Sequence, residues 1–528
     1  DAMRPASIFS CSTWGFILPR ASFQFLLLPE SLLFSVHLVL NIKLAVLHPF
    51  HPVFSCFSTG MKDLESTLAE RGVRISTIPD KGRCLITARD FSPGDTILSQ
   101  EPYVCAPNES NCQVCFSSSK LRCSVCQVVR YCGVACQKRD WKLHRFECGP
   151  LSRLDERRKK SLTPSIRLMV KLCLRRNLEK ERLVPVSPAE NYYLVDALLS
   201  HMSDLDDERL VLYAQMASLV NSIIQLPEMS IREITENFSK LACNAHSVCD
   251  SELRALGTGL YPVISIINHS CLPNSVLVFE GRLAIVRAVE HIPNGNEVLI
   301  SYIETAGSTM TRQKALKEQY FFTCACLRCN RVGQYDYIYG SAVLEGYRCG
   351  NDDCHGVLLR ECEKFVCLQC GQAREKDAIS MMAFIVKART GEASKYLSSG
   401  NHLEAYSMYK DVEKRQRILC HPFSLDLMRT RDALLRILIK LKNWEEALSY
   451  CRLTIPVYRR AYQRFHPLLG LQYYTCGKLE WLVGHTEDAV ESFSSALDVL
   501  RITYGTESQF MKELMLKLEE ARAEAFYK

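Results

Sequence analysis

The chain is 528 residues long, 47% hydrophobic and 23% charged, with 65 basic against 58 acidic side chains and 26 cysteines. At about 150 residues per domain this length holds roughly three or four domains, and the proportions exclude a disordered, collagenous or polytopic membrane protein. A formal charge of +7 is too slight to argue for nucleic acid by itself. The cysteines are the anomaly, because clustered thiols in a large chain more often hold metal than form a disulfide framework.

Residues 1–60 carry only five charged side chains, Asp1, Arg4, Arg20, Glu30 and Lys43. A membrane helix needs about 20 mainly apolar residues, whereas the run after Lys43 is broken by His48, Pro49, His51 and Pro52. No single apolar block with a cleavage site marks a signal peptide. Met61, followed by KDLESTLAERG, reads as a true start, and 1–60 as a doubtful leader. No later segment suggests a membrane span or export signal, which points to a reducing compartment, the nucleus or the cytoplasm.

From Val73 to Val104, strand-like runs at Ile86–Phe91 and Thr96–Gln100 alternate with the turn signals Pro79–Gly82 and Ser92–Asp95. A cysteine-rich segment follows, and apolar spacing turns helical between about 163 and 240, as in Ile166, Met169, Val170 and Cys173. Strand-like text returns at Ser275–Phe279, Leu283–Val289 and Glu297–Tyr302. The order predicts an α+β protein whose β-rich domain, 61–111 and 241–322, is split by a metal module at 112–148 and a helical insert at 149–240. Cysteine-rich segments at 323–332 and 345–374 follow it.

From Ala378 to the C-terminus, 378–528, the text is helical and repetitive. Asn401–Ala405, Asn443–Ala447 and His485–Ala489 place an alanine at the same point of a helix, in two steps of 42 residues. A recurring small residue is what close packing of paired helices requires, so an all-α, tetratricopeptide-like solenoid is expected. The concave side of such an array usually binds protein.

The first cysteine cluster reads Cys112-x2-Cys115, Cys123-x2-Cys126, Cys132-x3-Cys136, His144-x3-Cys148. Eight ligands in four close pairs make two closed tetrahedral zinc sites with no open position for catalysis. Seven basic residues, Lys120, Arg122, Arg130, Lys138, Arg139, Lys142 and Arg145, against Asp140 and Glu147 give the module a positive face. That face suits an acidic peptide or phosphate, or is simply solvated. The second cluster, Cys324-x-Cys326-x2-Cys329, lacks a fourth ligand nearby. The third pairs Cys349-x4-Cys354 with Cys367-x2-Cys370 in the manner of a zinc ribbon, leaving Cys362 over.

A candidate active site comes from Ser265-Ile-Ile-Asn268-His269-Ser270-Cys271-Leu-Pro273-Asn274, where an apolar run stops abruptly at polar residues, as at the end of a buried strand. Further on, Glu297-Val-Leu-Ile-Ser-Tyr302 ends another apolar run in a tyrosine. This pair resembles the two signature motifs of SET-domain lysine methyltransferases. Gly257-Thr-Gly-Leu-Tyr-Pro262 and Tyr320-Phe-Phe-x-Cys324 match that family in order. The eight-ligand cluster, with Tyr131 before Cys132 and Gln137-Lys-x-x-Trp141 after Cys136, resembles a MYND finger. Together they resemble the SET and MYND family, closest to its plant members, over nearly everything from about residue 70.

The resemblance implies interleaved finger sites, Cys112, Cys115, Cys132 and Cys136 on one zinc and Cys123, Cys126, His144 and Cys148 on the other. It implies that Cys271 closes the zinc of Cys324, Cys326 and Cys329. It implies S-adenosylmethionine as methyl donor, held by Asn268 and His269 with Cys243, Asn244 and Ser265 beside them. His201 is implied near the ribose, Phe322 at the adenine, and Lys81-Gly82-Arg83 in the turn over the methionine end. Tyr302 is the implied catalytic tyrosine, also beside the cofactor, and Tyr320 lines the lysine channel. Where the family has Gly-x-Gly, this chain reads Gly82-Arg83-Cys84, and a Cβ at the third position crowds the turn if positive φ is needed there.

The chemistry suits these residues. Methyl transfer to an amine is an in-line displacement that needs aligned reactants and excluded water. Free lysine has a pKa near about 10.4, so only about one in a thousand is neutral near pH 7. A tyrosine-lined channel desolvates the amine and orients it through a hydroxyl. The expected function is methylation of lysine in histone or other proteins. The other class is an adaptor, an inactive core whose finger and solenoid recruit peptide partners. Sequence-specific DNA binding lacks an evident recognition helix.

Overall fold

A computed structural model describes residues 57–331, 335–351, 353–361 and 364–527. The leader expectation for residues up to 56, and the leftover Cys362, lie outside this set. Helix α1 (Phe57–Glu70) buries Leu64 and Leu68. Strands β1 (Val73–Ile78) and β2 (Gly82–Thr87) form a hairpin whose turn places Asp80 and Gly82 at φ 65° and 77°. The strand-like run expected at Ile86–Phe91 thus begins and ends earlier, because pairing with β1 and not local alternation sets its limits. Strand β3 (Thr96–Gln100) falls where expected, and β4 (Val104–Pro107) is buried throughout.

The chain then leaves the sheet. The finger ends in α2 (Val134–Ser152), followed by α3 (Glu156–Lys160), α4 (Pro164–Lys180), α5 (Tyr192–Asp196), α6 (Asp207–Ile224) and α7 (Ile231–Asn244). Helix α4 starts cleanly because the Thr163 hydroxyl accepts the Ile166 N–H and Pro164 occupies the first turn. Every residue from Ile166 to Leu174 on it is buried, including Arg167 and Lys171. It is the central post on which the finger, α6 and α7 pack.

Strands β5 (Ala245–Cys249) and β6 (Ala255–Leu260) rejoin the sheet with β6 between β4 and β5, so the finger and helices interrupt one sheet, as expected. The spacing Gly257-Thr-Gly259 has a steric basis. A Cβ on Gly257 would lie 2.5 Å from both the Ala106 carbonyl oxygen and the Phe116 ring, so only glycine lets β6 meet β4 and the finger at once. Strands β8 (Ser275–Glu280) and β9 (Leu283–Ala288) turn at Gly281-Arg282, with Gly281 at φ 60°, and build the sheet β3-β9-β8. Strands β7 (Asn268–His269) and β10 (Leu299–Ile300) are two residues each and run parallel.

Helix α8 (Thr309–Tyr320) and α9 (Tyr335–Glu345) lead to a four-stranded ribbon, β11 (Tyr347–Arg348), β12 (Val357–Glu361), β13 (Lys364–Cys367) and β14 (Ala373–Glu375). Seven helices complete the chain: α10 (Lys376–Ser398), α11 (His402–Leu419), α12 (Leu425–Lys440), α13 (Trp444–Ala461), α14 (Pro467–Leu482), α15 (Thr486–Tyr504) and α16 (Gln509–Tyr527). Ala405, Ala447 and Ala489 are fully buried in the first turn of α11, α13 and α15. The side chains of Asn401 and Asn443 cap α11 and α13. The array packs back on the split domain. Leu253, Val278 and Ile285 share a core with Leu425, Tyr458 and Leu500, and the Tyr462 hydroxyl reaches Glu304 at 3.1 Å, two residues beyond Tyr302. Among the described residues no helix is long and apolar enough to cross a membrane.

Candidate active site and metal centres

The apolar run before Asn268 is not a buried strand. Ile264–Ile266 form a single 3-10 turn, fixed by the Ser265 hydroxyl, which lies 2.9 Å from the Tyr261 carbonyl and 3.0 Å from that of Asn244. Residues Glu297–Tyr302 likewise contribute only Leu299–Ile300 as strand. Both runs read as strands because they are apolar, but each is shaped by contacts distant in sequence. The short parallel pair threads the Tyr302 segment past Asn268–His269, with the Ser270 N–H donating to the Ile300 carbonyl at 2.9 Å.

Tyr302 is held at both ends by this crossing. Its hydroxyl donates to the Ile267 carbonyl at 2.6 Å, and its backbone N–H donates to His269 Nδ1 at 3.0 Å. The Tyr320 ring lies 4.9 Å from that of Tyr302, and its hydroxyl donates to the Tyr302 carbonyl at 3.2 Å. Phe322 stands edge-on to both Tyr302 and His269, at 6.4 and 6.0 Å. Burial raises both phenols well above their ordinary range, so they stay neutral. Burial lowers the His269 imidazole to about 4, which keeps it neutral as well.

The remaining residues adjoin this aromatic cluster. Asn268 Nδ2 donates to the Arg83 carbonyl at 3.2 Å and to Glu297 Oε1 at 2.8 Å, while Lys81 Nζ pairs with Glu297 Oε2 at 2.8 Å. Glu297 therefore ties the Lys81–Arg83 hairpin to Asn268, a role that went unread in the sequence because its partners lie 29 and 216 positions away. The Arg83 guanidinium turns aside to the Ala197 carbonyl. Cys243 donates to the Gln319 carbonyl at 3.6 Å, and burial pushes its thiol up to about 12. The Asn244 amide caps α7 by donating to Lys240 and also reaches the Leu199 carbonyl. His201 stacks at 5.2 Å on Phe321, while Phe322 faces Tyr302 and His269. The αL conformation of Phe321, φ 62°, ends α8 and turns the two rings in different directions. Cys84 has no positive φ; it lies inside β2 opposite Ser76, fully buried, so the missing glycine strains nothing.

All sixteen predicted metal ligands fall into four groups of four, each with its ligand atoms within 4.8 Å of one another. The finger pairs are interleaved and Cys271 joins Cys324, Cys326 and Cys329. Sulfurs approach to 3.5 Å for Cys115–Cys132, 3.7 Å for Cys123–Cys148, 3.6 Å for Cys271–Cys329 and 3.7 Å for Cys354–Cys367. A thiolate tetrahedron with metal–sulfur bonds of about 2.3 Å has edges of about 3.8 Å, whereas a disulfide is about 2.05 Å. In the ribbon, backbone amides of Asn351, Gly356 and Gln369 each point at a cysteine sulfur at 3.4 Å. A Cβ on Gly356 would lie 2.5 Å from Cys367 Sγ, filling the cradle. The donor sets fit zinc.

What surrounds the ligands was not legible. His144 Nδ1 bonds the buried Glu147 at 2.8 Å, and Lys171 on α4 approaches Glu147 at 3.6 Å and Asp140 at 3.7 Å. Tyr131 donates to Asp140 at 2.7 Å, and Arg167 reaches Gln113 at 2.6 Å. Two residues counted as mere surface charge thus anchor the finger to the post. At the Cys271 group, buried Arg312 donates to Cys329 Sγ at 3.7 Å and to the Gly307 carbonyl at 2.6 Å.

A sheet split by a two-site finger, a threaded pair of short strands and a tyrosine pair beside a four-cysteine cluster define the SET-domain class. Comparison with known proteins agrees. A family model described as MYND finger matches residues 112–148. The chain is 54% identical over 475 residues to histone-lysine N-methyltransferase ASHR1 of Arabidopsis thaliana, covering 89% of this chain and 99% of that one. It is 27% identical to histone-lysine N-methyltransferase SMYD3 of Mus musculus, covering 85% and 97%. It is 25% identical to N-lysine methyltransferase SMYD2 of Homo sapiens, covering 84% and 96%. The chain belongs to the SET and MYND family of protein-lysine methyltransferases.

Proposed function

We propose that this protein transfers methyl groups from S-adenosylmethionine to lysine side chains of histone or other proteins, with Tyr302 as the catalytic residue. The observation that carries this reading is the double tether of Tyr302. Its hydroxyl proton is committed to the Ile267 carbonyl, which leaves the oxygen lone pairs free to accept from an incoming amine. Tyr320 and Phe322 wall the approach, so the amine sheds water and its neutral form is favoured. When bound, the cofactor supplies a sulfonium methyl group. Asn268, Ser265, Asn244, Cys243 and His201 are half-buried, with Cys243 and His201 in contact with Gln319 and Phe321 on either side of Tyr320, surroundings that suit such a ligand.

Zinc in the four cysteine groups is part of the same reading, as are peptide partners for the finger's basic face and for the solenoid. Metal analysis near four zinc ions per chain supports it, and two would remove the Cys271 and ribbon sites. The decisive experiment is calorimetry with S-adenosylmethionine, followed by transfer assays on lysine peptides. Binding together with a fall of about 100-fold in kcat for Tyr302→Phe, at unchanged melting temperature, is expected. Absence of cofactor binding would return the protein to the adaptor class.

A further inference from the structure

The ring of His269 stands between a metal-ligand sulfur and the backbone of Tyr302. Because the Tyr302 N–H points at Nδ1 from 3.0 Å, Nδ1 is an acceptor and carries no proton. Nε2 then holds the ring proton, and it lies 3.3 Å from Cys271 Sγ. A cysteine sulfur that has given up its proton to a metal can only accept. Both ring nitrogens are therefore spent, and the ring, 8% exposed, is packed against Tyr302 and Phe322.

We propose that His269 is a positioning residue that transmits the closure of the Cys271 cluster to the backbone of Tyr302, and that it does not hold the methyl donor through its ring nitrogens. The Tyr302 hydroxyl is fixed by Ile267 and its N–H by His269, so one short stretch of chain grips the tyrosine at two points. Of these grips only the second depends on the cysteine cluster. With the cluster closed, the sulfur accepts the Nε2 proton and holds the ring in one tautomer and one orientation. With it open, the sulfur is no longer fixed beside Nε2, and the Tyr302 N–H alone orients the ring. No covalent bond changes; the inference rests on the methyl-transfer reading only for its kinetic consequence.

The first test needs no activity. In the full chain loaded with cadmium-113 and labelled with nitrogen-15 histidine, one imidazole should appear as the Nε2–H tautomer, with its proton coupled to cadmium across the hydrogen bond. Its loss in His269→Ala assigns it; His144, a direct ligand through Nε2, differs in carrying its proton on Nδ1. An Nδ1–H or doubly protonated His269, or no coupling, overturns the proposal. The second test is kinetic: His269→Ala should lower kcat about 30-fold while the dissociation constant for S-adenosylmethionine changes less than about threefold. His269→Gln, which can donate and accept in the same two directions, should recover part of kcat with full metal content. Loss of donor affinity at unchanged kcat overturns the proposal. If the wild-type protein transfers no methyl group, the methylation reading fails and the nitrogen-15 result alone decides this one.

Discussion

Two of the four-ligand groups, one of three cysteines and a histidine and one of four cysteines, are opposite in what stands behind them. In the finger, His144 leans on Glu147, and Glu147 on Lys171 of α4, so the outer contacts of the metal group hold one structural unit against another. At Cys271 the outer contacts are His269, which grips Tyr302, and Arg312, which grips the loop at Gly307. A four-ligand group fastens two units together in one place and stands behind Tyr302 in the other. The second partners of the ligands set what each group holds in place.

The largest effect should come from opening the Cys271 group. Cys326→Ser is expected to lose one metal equivalent and nearly all methyl transfer, because structural zinc contributes on the order of 10 kcal/mol to its own segment; metal analysis and a finger that still binds its two ions check this. Lys171→Met should do the reverse. It leaves Glu147 and Asp140 without their buried cation, at about 3–5 kcal/mol, and lowers the melting temperature while transfer at low temperature persists. Loss of transfer without loss of stability would erase the contrast. At the ribbon, Gly356→Ala forces a Cβ onto Cys367 Sγ and should weaken metal binding there by about 10- to 100-fold, measured by chelator competition.

The smallest effect sharpens the comparison from the other side, with a buried charge that has neither metal nor ion pair. Asp432 accepts from Tyr458 at 2.8 Å, and burial raises its carboxyl to about 6 despite Arg436 and Arg429 on the same helix. A carboxylic acid that holds its proton more tightly when folded contributes stability below pH of about 4 and loses it as pH rises to about 6. Asp432→Asn should thus stabilise the protein by about 1 kcal/mol at pH 7 and not at pH 4, as read by urea unfolding at both values.

Apart from Cys271, which came only from the family resemblance, the ligands and the repeats were legible because their signals are local: gaps of one to four residues within each pair, and alanines 42 apart. So were the signature residues Asn268, His269 and Tyr302. What escaped is non-local. Strands β7 and β10 are too short for any period to register, and Ile264–Ile266 takes its turn from a hydroxyl bond to Asn244. Glu297 reads as one more charge until Lys81 and Asn268 meet on it. The stacking of His201 on Phe321, set by one left-handed residue at a helix end, had no local signal either. Cys84 seemed a defect only because the turn's positive φ was expected at its position, when it falls at Gly82.

The placement of the finger within a split sheet bears on how the protein is made. As the chain emerges from the ribosome, the finger has all eight ligands once residue 148 is out, before the helix that carries Lys171 is complete. Strand β4 must wait for β6, and Tyr302 has no finished surroundings until Cys329 arrives to join Cys271. The finger's ligand sets are thus complete well before the Cys271 set, which closes only with the segment that also brings Tyr320 and Phe322 to Tyr302.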